Sequence, residues 1–277
     1  HVQENGRIQH RHPMYSAGGH QAHRLVVITE ADGTLVVTGA TTISNQINLD
    51  NGGGTINASA DVTVSGVISG FDGLTKSGAG ILTLTGNNTY SDGTTVTGGT
   101  LSVSSDSNLG FGAVTLNGGN LAITGATTIY SALALSSNAT LTNSADATLS
   151  GAISGSGNLT KSGSSTLTLT GNNTSYSGTT TISSGTVSID LAQRLGSGGL
   201  TLAGGTLALT GTSATTFSNP ISTTSSSSTI DVASGKTVRV ASSISGAGGL
   251  TKSGAGTLDL ANTNLYLGAT TISGGTL

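Results

Sequence analysis

The chain has 277 residues, of which 44 are glycine and 2 are proline, and its formal net charge is −3 at pH 7. Charged residues make up only 8% of it, against roughly 25% in an ordinary soluble domain. The Lys and Arg residues are scattered and form no basic stripe, which excludes nucleic acid as a partner. The absence of cysteine excludes disulfides and thiol chemistry, and no apolar run approaches the ~18 residues of a membrane span.

The chain begins with a His-rich arm. All five histidines precede residue 33, and His10 and His12 are a candidate metal pair. No carboxylate cluster lies nearby, so we predict no metal site and favour a solvated or docked arm. The arm's histidines and arginines are His1, His10, His12, His20, His23, Arg7, Arg11 and Arg24.

Residues from about 16 to 32 have the pattern of one partial solenoid turn, because residues 21–25 parallel residues 192–195. The sequence stops at residues 274–277, where the earlier copies of the repeat continue into this turn. We therefore expect head-to-tail self-association, in which the arm stacks on the C-terminal turn of a neighbouring copy.

The rest of the chain repeats one pattern three times. The residues Gly-Thr-Leu at 33–35 return in related form at 119–121 and 205–207, 86 residues apart each time. Repetition at this scale is typical of stacked architectures, in which each unit buries its apolar face against its neighbours. The predicted segments are 1–32 for the arm and partial turn, 33–118 and 119–204 for two full modules, and 205–277 for an incomplete third.

Within each module, short strands recur about every 20 residues. Residues 62–64, 82–84 and 101–103 each read apolar-polar-apolar, and residues 121–123 have the small alanine between two large apolar residues, which is the pattern of a strand with one buried face. A propeller blade needs ~40–50 residues, and a sandwich has no reason to repeat its sequence. The sequence therefore predicts an all-β parallel β-helix of about a dozen turns. Its interior should bury Leu84, Leu101, Leu121, Leu169 and Leu207.

Each module also carries an asparagine-rich corner followed closely by a tyrosine, namely Tyr90, Tyr176 or Tyr266. One interpretation is a carbohydrate-binding row of tyrosines, and the other is a loop that covers a corner. Because the tyrosines are ~86 residues and hence about four turns apart, they are too far apart for one sugar ring, which favours the cover.

These phrases together resemble a known repeat. Residues 73–101, 158–187 and 249–277 each contain Leu-Thr-Lys-Ser-Gly from their second residue onward and continue through the asparagine-rich corner. They resemble the autotransporter-associated β-strand repeat of passenger domains in Gram-negative surface and secreted proteins. The resemblance spans about residues 33–277 and implies an extracellular, right-handed parallel β-helix at the cell surface. It brings no catalytic residues with it.

The sequence offers little for catalysis. Without histidine after residue 23, a Ser-His-Asp triad in the solenoid is impossible. Asp72 and Asp92 lie one turn apart and are a candidate weak Ca²⁺ pair, although solvated corners are the favoured interpretation. The acidic residues are otherwise spread singly, as Asp50, Asp61, Asp106, Asp146, Asp190, Asp231 and Asp259.

Three lysines, Lys76, Lys161 and Lys252, recur in register, and we expect them to be surface charges that discourage lateral aggregation. We predict no catalytic, cofactor-binding or metal residue. The favoured function is a non-enzymatic extracellular solenoid that forms a structural surface fibre or rod. The alternatives are an adhesin that binds a glycan or host surface and, least favoured, a polysaccharide-degrading enzyme.

Overall fold

The computed structural model describes residues 2–5, 26–28, 33–50, 52–211 and 215–277. The chain divides into unit 1 (His1–Ala122) and unit 2 (Ile123–Leu277). Each unit is a parallel β-solenoid, so the predicted fold class is confirmed, with about 12 turns in the chain. The only helical segments among the described residues are two 3₁₀ turns, Asp106–Asn108 and Ala192–Leu195.

Unit 1 consists of short strands separated by corners. The strands are β1 (Val2–Asn5), β2 (Val26–Ile28), β3 (Gly33–Val37), β4 (Thr41–Ile43), β5 (Ile47–Leu49), β6 (Gly54–Ala58), β7 (Val62–Val64), β8 (Ile68–Ser69), β9 (Leu74–Ser77), β10 (Ile81–Leu84), β11 (Thr94–Val96), β12 (Thr100–Val103) and β13 (Val114–Leu116), with β14 (Asn120–Ile123) at the boundary.

The strands of unit 1 stack into three parallel sheets. Strands β3, β6, β9, β11 and β13 form one sheet, β4, β7, β10 and β12 a second, and β2, β5 and β8 a third. Threonine meets threonine in the register of the first sheet, as in Thr55 opposite Thr75 and Thr75 opposite Thr95. The chain therefore returns to the same face once every 20 or 21 residues, as predicted.

Strand β1 departs from this pattern because it pairs antiparallel with β3, with Val2 opposite Val37. Strand β2 pairs in parallel with β5, as part of a solenoid turn would. The arm's histidines and arginines, and residues 16–25 and 29–32 of the predicted partial turn, lie outside the described residues. The stacking of the arm on a neighbouring copy and the module boundaries stay predictions.

Unit 2 is built in the same way. Its strands are β15 (Thr127–Ile129), β16 (Leu133–Leu135), β17 (Ala139–Asn143), β18 (Ala147–Leu149), β19 (Ile153–Gly155), β20 (Leu159–Ser162), β21 (Thr166–Leu169), β22 (Thr180–Ile182), β23 (Thr186–Ile189), β24 (Leu200–Leu202), β25 (Thr206–Leu209), β26 (Thr215–Phe217), β27 (Ile221–Thr223), β28 (Thr229–Val232), β29 (Thr237–Val240), β30 (Ile244–Gly246), β31 (Leu250–Ser253), β32 (Thr257–Leu260), β33 (Leu265–Tyr266) and β34 (Thr270–Ile272).

Two long parallel sheets run through unit 2. Sheet A contains β15, β18, β21, β23, β25, β28, β31 and β34, and sheet B contains β17, β20, β22, β24, β27, β30 and β33. Strands β16 and β19 pair on the third side, and farther along the chain β26, β29 and β32 form a short sheet.

The core of each unit is a set of aliphatic ladders. Side chains alternate along a strand, so every second residue faces inward and meets its counterpart one turn away. Leu167 lies opposite Val187, and Val187 opposite Leu207, all of them buried. The predicted burial is confirmed for all five leucines, Leu84, Leu101, Leu121, Leu169 and Leu207.

Candidate functional site

The three recurring lysines lie inside the solenoid. The prediction that Lys76, Lys161 and Lys252 are surface charges is wrong, because all three are fully buried. The reason is their phase: in Leu-Thr-Lys-Ser the lysine is two residues after an inward leucine and therefore faces the same side. Within sheet B, Lys161 stands opposite the aliphatic Leu141 and Ile182.

Each lysine ammonium is bound by three backbone carbonyls. Lys161 Nζ donates to the oxygens of Ser162 at 3.0 Å, Gly163 at 2.9 Å and Ser184 at 3.1 Å. The first two acceptors belong to the lysine's own corner, and the third belongs to the corner of the next turn. Since an ammonium has three N–H donors, none is left over, and we call this arrangement the lysine brace.

The same brace occurs at the other two lysines. Lys76 Nζ donates to the oxygens of Ser77, Gly78 and Gly98 at 2.7, 2.8 and 3.0 Å. Lys252 Nζ donates to those of Ser253, Gly254 and Gly274 at 2.6, 2.8 and 3.1 Å.

The corners that form the lysine brace contain glycines, which make room for it. Gly163 has a φ of +86°, which a residue with a side chain rarely adopts. Gly185, with a φ of +65°, leaves space for the ammonium, since a Cβ atom there would lie 2.8 Å from Lys161 Nζ. The Lys-Ser-Gly phrase thus brings the ammonium and its acceptors to one corner.

Burial makes the charged form of these lysines less favourable. Desolvation lowers the pKa of Lys76, and it lowers the pKa of Lys161 from 10.5 to about 8. Desolvation also lowers the pKa of Lys252, where the nearby Asp231 carboxylate acts in the opposite direction. The three ammonium groups are therefore structural donors within the interior and are not available to a ligand outside.

In the first two repeats, an asparagine connects the turn before it with the turn after it. Asn173 Oδ1 accepts from the Ile153 amide at 2.6 Å, and its Nδ2 donates to the Arg194 carbonyl at 2.6 Å. Asn88 bonds in the same way to the Ile68 amide, at 2.8 Å, and to the Asn108 carbonyl. Each of these side chains thus satisfies one donor of the turn before and one acceptor of the turn after.

The tyrosines do not form a sugar-binding row. Tyr90 and Tyr176 are buried, and Tyr266 is half-buried. The Tyr90 hydroxyl bonds to Thr94 Oγ1 at 2.5 Å, and the Tyr176 hydroxyl donates to the Thr179 carbonyl at 3.0 Å. Tyr90 and Tyr176 are part of the interior at a corner. They are therefore more deeply buried than in the interpretation that we favoured, a loop that covers a corner.

The spacing of the repeats differs from the predicted four turns. In unit 2, Lys161 lies in β20 of sheet B, while Lys252 lies in β31 of sheet A. Strands β22, β24, β27 and β30 complete four turns of sheet B, and β31 is the next strand along the chain. Successive copies are thus separated by four turns and one further face, so they do not align along one side of unit 2.

Asp231 and Asp259 lie within strands β28 and β32, whereas several other aspartates lie at corners, where they accept hydrogen bonds from backbone amides of an adjacent turn. Asp72 Oδ2 accepts from Gly52 at 2.7 Å, and Asp146 Oδ1 accepts from Thr166 at 2.7 Å. Asp72 and Asp92 line a cleft of about 220 Å³ in unit 1. The part of the chain that the structure describes contains no group of three or more residues suited to binding a metal.

The comparison with known families identifies the repeated segments. The model of the passenger-associated-transport-repeat matches residues 74–103, 159–189 and 250–277. Three segments of the chain are thus similar to the passenger-associated-transport-repeat. Each match begins with the leucine of the Leu-Thr-Lys-Ser strand and includes the lysine, asparagine and tyrosine described above. The resemblance predicted from the sequence is thereby confirmed.

Beyond this family, no curated protein and no solved structure matches the chain significantly. Among the residues described, no helix is long and apolar enough to cross a membrane.

Proposed function

We propose that the chain is an extracellular, non-enzymatic β-solenoid that acts as a structural rod or fibre element at the surface of a Gram-negative-type bacterium. The observation that carries the proposal is that the passenger repeats place their recurring polar side chains inside. The lysine, asparagine and tyrosine of each copy bond to the chain's own corners. The repeated sequence thus specifies an interior, whereas a repeated binding site would need these groups on the outside.

The placement of the acidic residues supports a non-enzymatic role. Polysaccharide-cleaving enzymes need paired carboxylates, or an acidic metal cluster with a base, converging on one substrate. Several aspartates here are engaged with backbone amides at separate corners, as Asp61 is with Ile81 and Asp146 with Thr166. We expect no hydrolase or lyase activity on polysaccharides or peptides.

Head-to-tail stacking is the finer part of the proposal. Unpaired strand edges favour pairing with a further strand, and in the proposed fibre the arm of a second copy would pair with the edge of unit 2. Light scattering of the full chain and of a chain without residues 1–24 tests this idea. Equal assembly of the two chains, or a full chain that stays monomeric at high concentration, would overturn it.

Surface display is tested separately by producing the chain in its native cells and treating intact cells with a protease. Loss of the protein from intact cells is expected, while a cytosolic marker survives. Survival of the chain until the cells are lysed would contradict the proposed location.

A second function, adhesion, is favoured by the outward side of the first sheet in unit 1. Thr34, Thr55, Thr75, Thr95 and Thr115 lie opposite one another on five successive strands. Such an uncharged row of hydroxyl groups offers donors and acceptors at a regular spacing of about 4.8 Å, which suits a surface that binds a glycan or a host protein.

A further inference from the structure

One corner of unit 1 leaves two phenylalanines in solvent. The chain contains three phenylalanines. Phe217 is 1% exposed, whereas Phe71 and Phe111 are 81% and 65% exposed. Two such rings at one corner, in a chain with 3% aromatic residues, form an exposed apolar surface, and grouped apolar side chains mark interaction sites where scattered single ones do not.

The two rings belong to the same corner of the solenoid. The Phe111 amide donates to the Tyr90 carbonyl at 2.7 Å, and Ser91 Oγ approaches the Gly70 carbonyl at 3.4 Å. Residues 71, 91 and 111 therefore follow one another on successive turns, with a serine between the two phenylalanines. Two turns correspond to about 10 Å, which is close to the length of two linked pyranose rings.

A polar cleft adjoins this corner. Gly52, Gly53, Gly73 and Gly93 line it together with Asp72, Asp92 and the threonines of β6, β9 and β11. The glycines leave the backbone open to close approach. Asp72 already accepts from the Gly52 amide through Oδ2, while Asp92 is exposed. Carboxylates and hydroxyl groups are suitable partners for sugar hydroxyls.

We propose that this corner binds a neutral, linear polysaccharide, which lies along the stacked turns with alternate sugar rings on Phe71 and Phe111. Aromatic faces pack against the apolar face of a pyranose, while Asp72, Asp92 and the threonines bond to its hydroxyls. The two carboxylates disfavour an anionic chain. An open cleft suits a long polymer, which can pass through without burying its ends.

This inference deepens the adhesive function and depends on the chain being displayed outside the cell. Binding is measured on the purified full chain, so a failure to bind leaves the structural role standing. Conversely, the loss of fibres in light scattering leaves this site untouched.

The test is isothermal titration with cellohexaose and xylohexaose, with hexagalacturonate as the anionic comparison. We expect at least one neutral hexasaccharide to bind and hexagalacturonate to bind more weakly. Phe71→Ala and Phe111→Ala should each lower the affinity about three- to tenfold, and the double substitution should abolish it. Asp72→Asn, which keeps an acceptor for the Gly52 amide, should weaken binding less than either.

Leu267→Ala and Asp61→Asn are the matched controls, since they change an exposed apolar residue and a corner aspartate outside the cleft. Circular dichroism of each variant confirms that the fold persists. The proposal would be overturned by any of three results: equal affinity of the Phe71→Ala and unaltered chains, tighter binding of hexagalacturonate than of the neutral probes, or no binding of either neutral probe. The release of new reducing ends would show that the cleft cleaves its ligand and would overturn binding as its role.

Discussion

The two passenger repeats of unit 2 contain the same residues in different surroundings. In residues 159–189, Asn173 bonds to an amide of the turn before and a carbonyl of the turn after. In residues 250–277, Asn264 accepts from Ile244 at 2.9 Å but donates to Asn262 within its own corner, at 3.0 Å. Tyr176 is buried, whereas Tyr266 is half-buried.

The lysines differ much less. Lys161 and Lys252 are both fully buried, and each donates to three carbonyls. The comparison separates two parts of the repeat. The lysine brace is completed by the corner of one following turn, while the asparagine and tyrosine are fully enclosed in residues 159–189 but not in residues 250–277.

The largest effect is expected from removing the brace. Lys161→Met keeps most of the length of the side chain but removes the ammonium donor from three partly buried carbonyls, which should cost about 3 kcal/mol of local stability. Lys252→Met should cost about as much, because its brace is equally complete. Long repeat arrays do not unfold in one step, so the measurement is amide hydrogen exchange of the flanking strands.

Lys236→Met is the control for the lysine pair, since Lys236 is only half-buried. A loss at Lys161 no larger than at Lys236 would show that the interior does not need the ammonium.

The next effect concerns the connection between turns. Asn173→Ala removes two short hydrogen bonds and leaves the Ile153 amide without its acceptor, at a cost of about 2–3 kcal/mol. Asn264→Ala loses one such contact in a more exposed corner and should cost about 1 kcal/mol. Exchange at the Ile153 and Ile244 amides measures the two losses directly. Equal acceleration at both amides would remove the distinction between the two repeats.

The sequence predicted the ladders well and the polar interior poorly. Alternation in phrases such as Leu-Thr-Leu at 82–84 fixes which side chains face inward, and all five leucines named from it are buried. The same alternation places Lys161 inside, although we expected it to be a surface charge that discourages lateral aggregation. The convergence of three carbonyls, two of them from its own Ser-Gly corner, offsets the cost of burying the charge.

The aromatic residues illustrate a different limit. The tyrosines repeat with the modules, and we favoured a loop that covers a corner over a sugar-binding row, yet Tyr90 and Tyr176 are internal. Phe71 and Phe111 do not recur in the other modules, so the repeat gave no signal for them. Their relation appears only once the 20-residue turn brings them to one corner.

A smaller effect is the pH dependence of the brace. The pKa of Lys161 is about 8 in the folded chain and 10.5 for an exposed lysine. Between these values the folded state binds fewer protons than the unfolded state, so stability should rise with pH across that window. The gain should be on the order of 1–3 kcal/mol, measured as the difference between the unaltered chain and Lys161→Met at each pH.

The second repeat provides the comparison for this pH effect. Asp231 opposes the lowering of the Lys252 pKa, so Asp231→Asn should lower that pKa further. The stability of the chain should then depend more steeply on pH, and Lys252→Met should remove this dependence. The opposite result would be a stability that falls between pH 8 and pH 10 in the unaltered chain but not in Lys161→Met. It would mean that the carbonyls stabilise the charged form of Lys161 more than burial destabilises it.

The smallest effect tests the enclosure of the tyrosines. The Tyr176 hydroxyl donates to the Thr179 carbonyl and accepts from the Leu159 amide at 3.1 Å. Leu159 N also donates to the Thr179 carbonyl, at 2.9 Å, so Tyr176→Phe leaves that amide with a partner and should cost only about 1 kcal/mol. Tyr266→Phe removes a contact with Thr270 in an exposed setting and should change stability by less than about 0.5 kcal/mol.

Hydrogen exchange at the Leu159 and Leu250 amides, each the first residue of its Leu-Thr-Lys-Ser strand, measures the two changes in stability. A larger effect at Tyr266 than at Tyr176 would mean that enclosure by further turns adds nothing to the hydroxyl's hydrogen bonds, and the contrast between the two repeats would then depend on the asparagines alone.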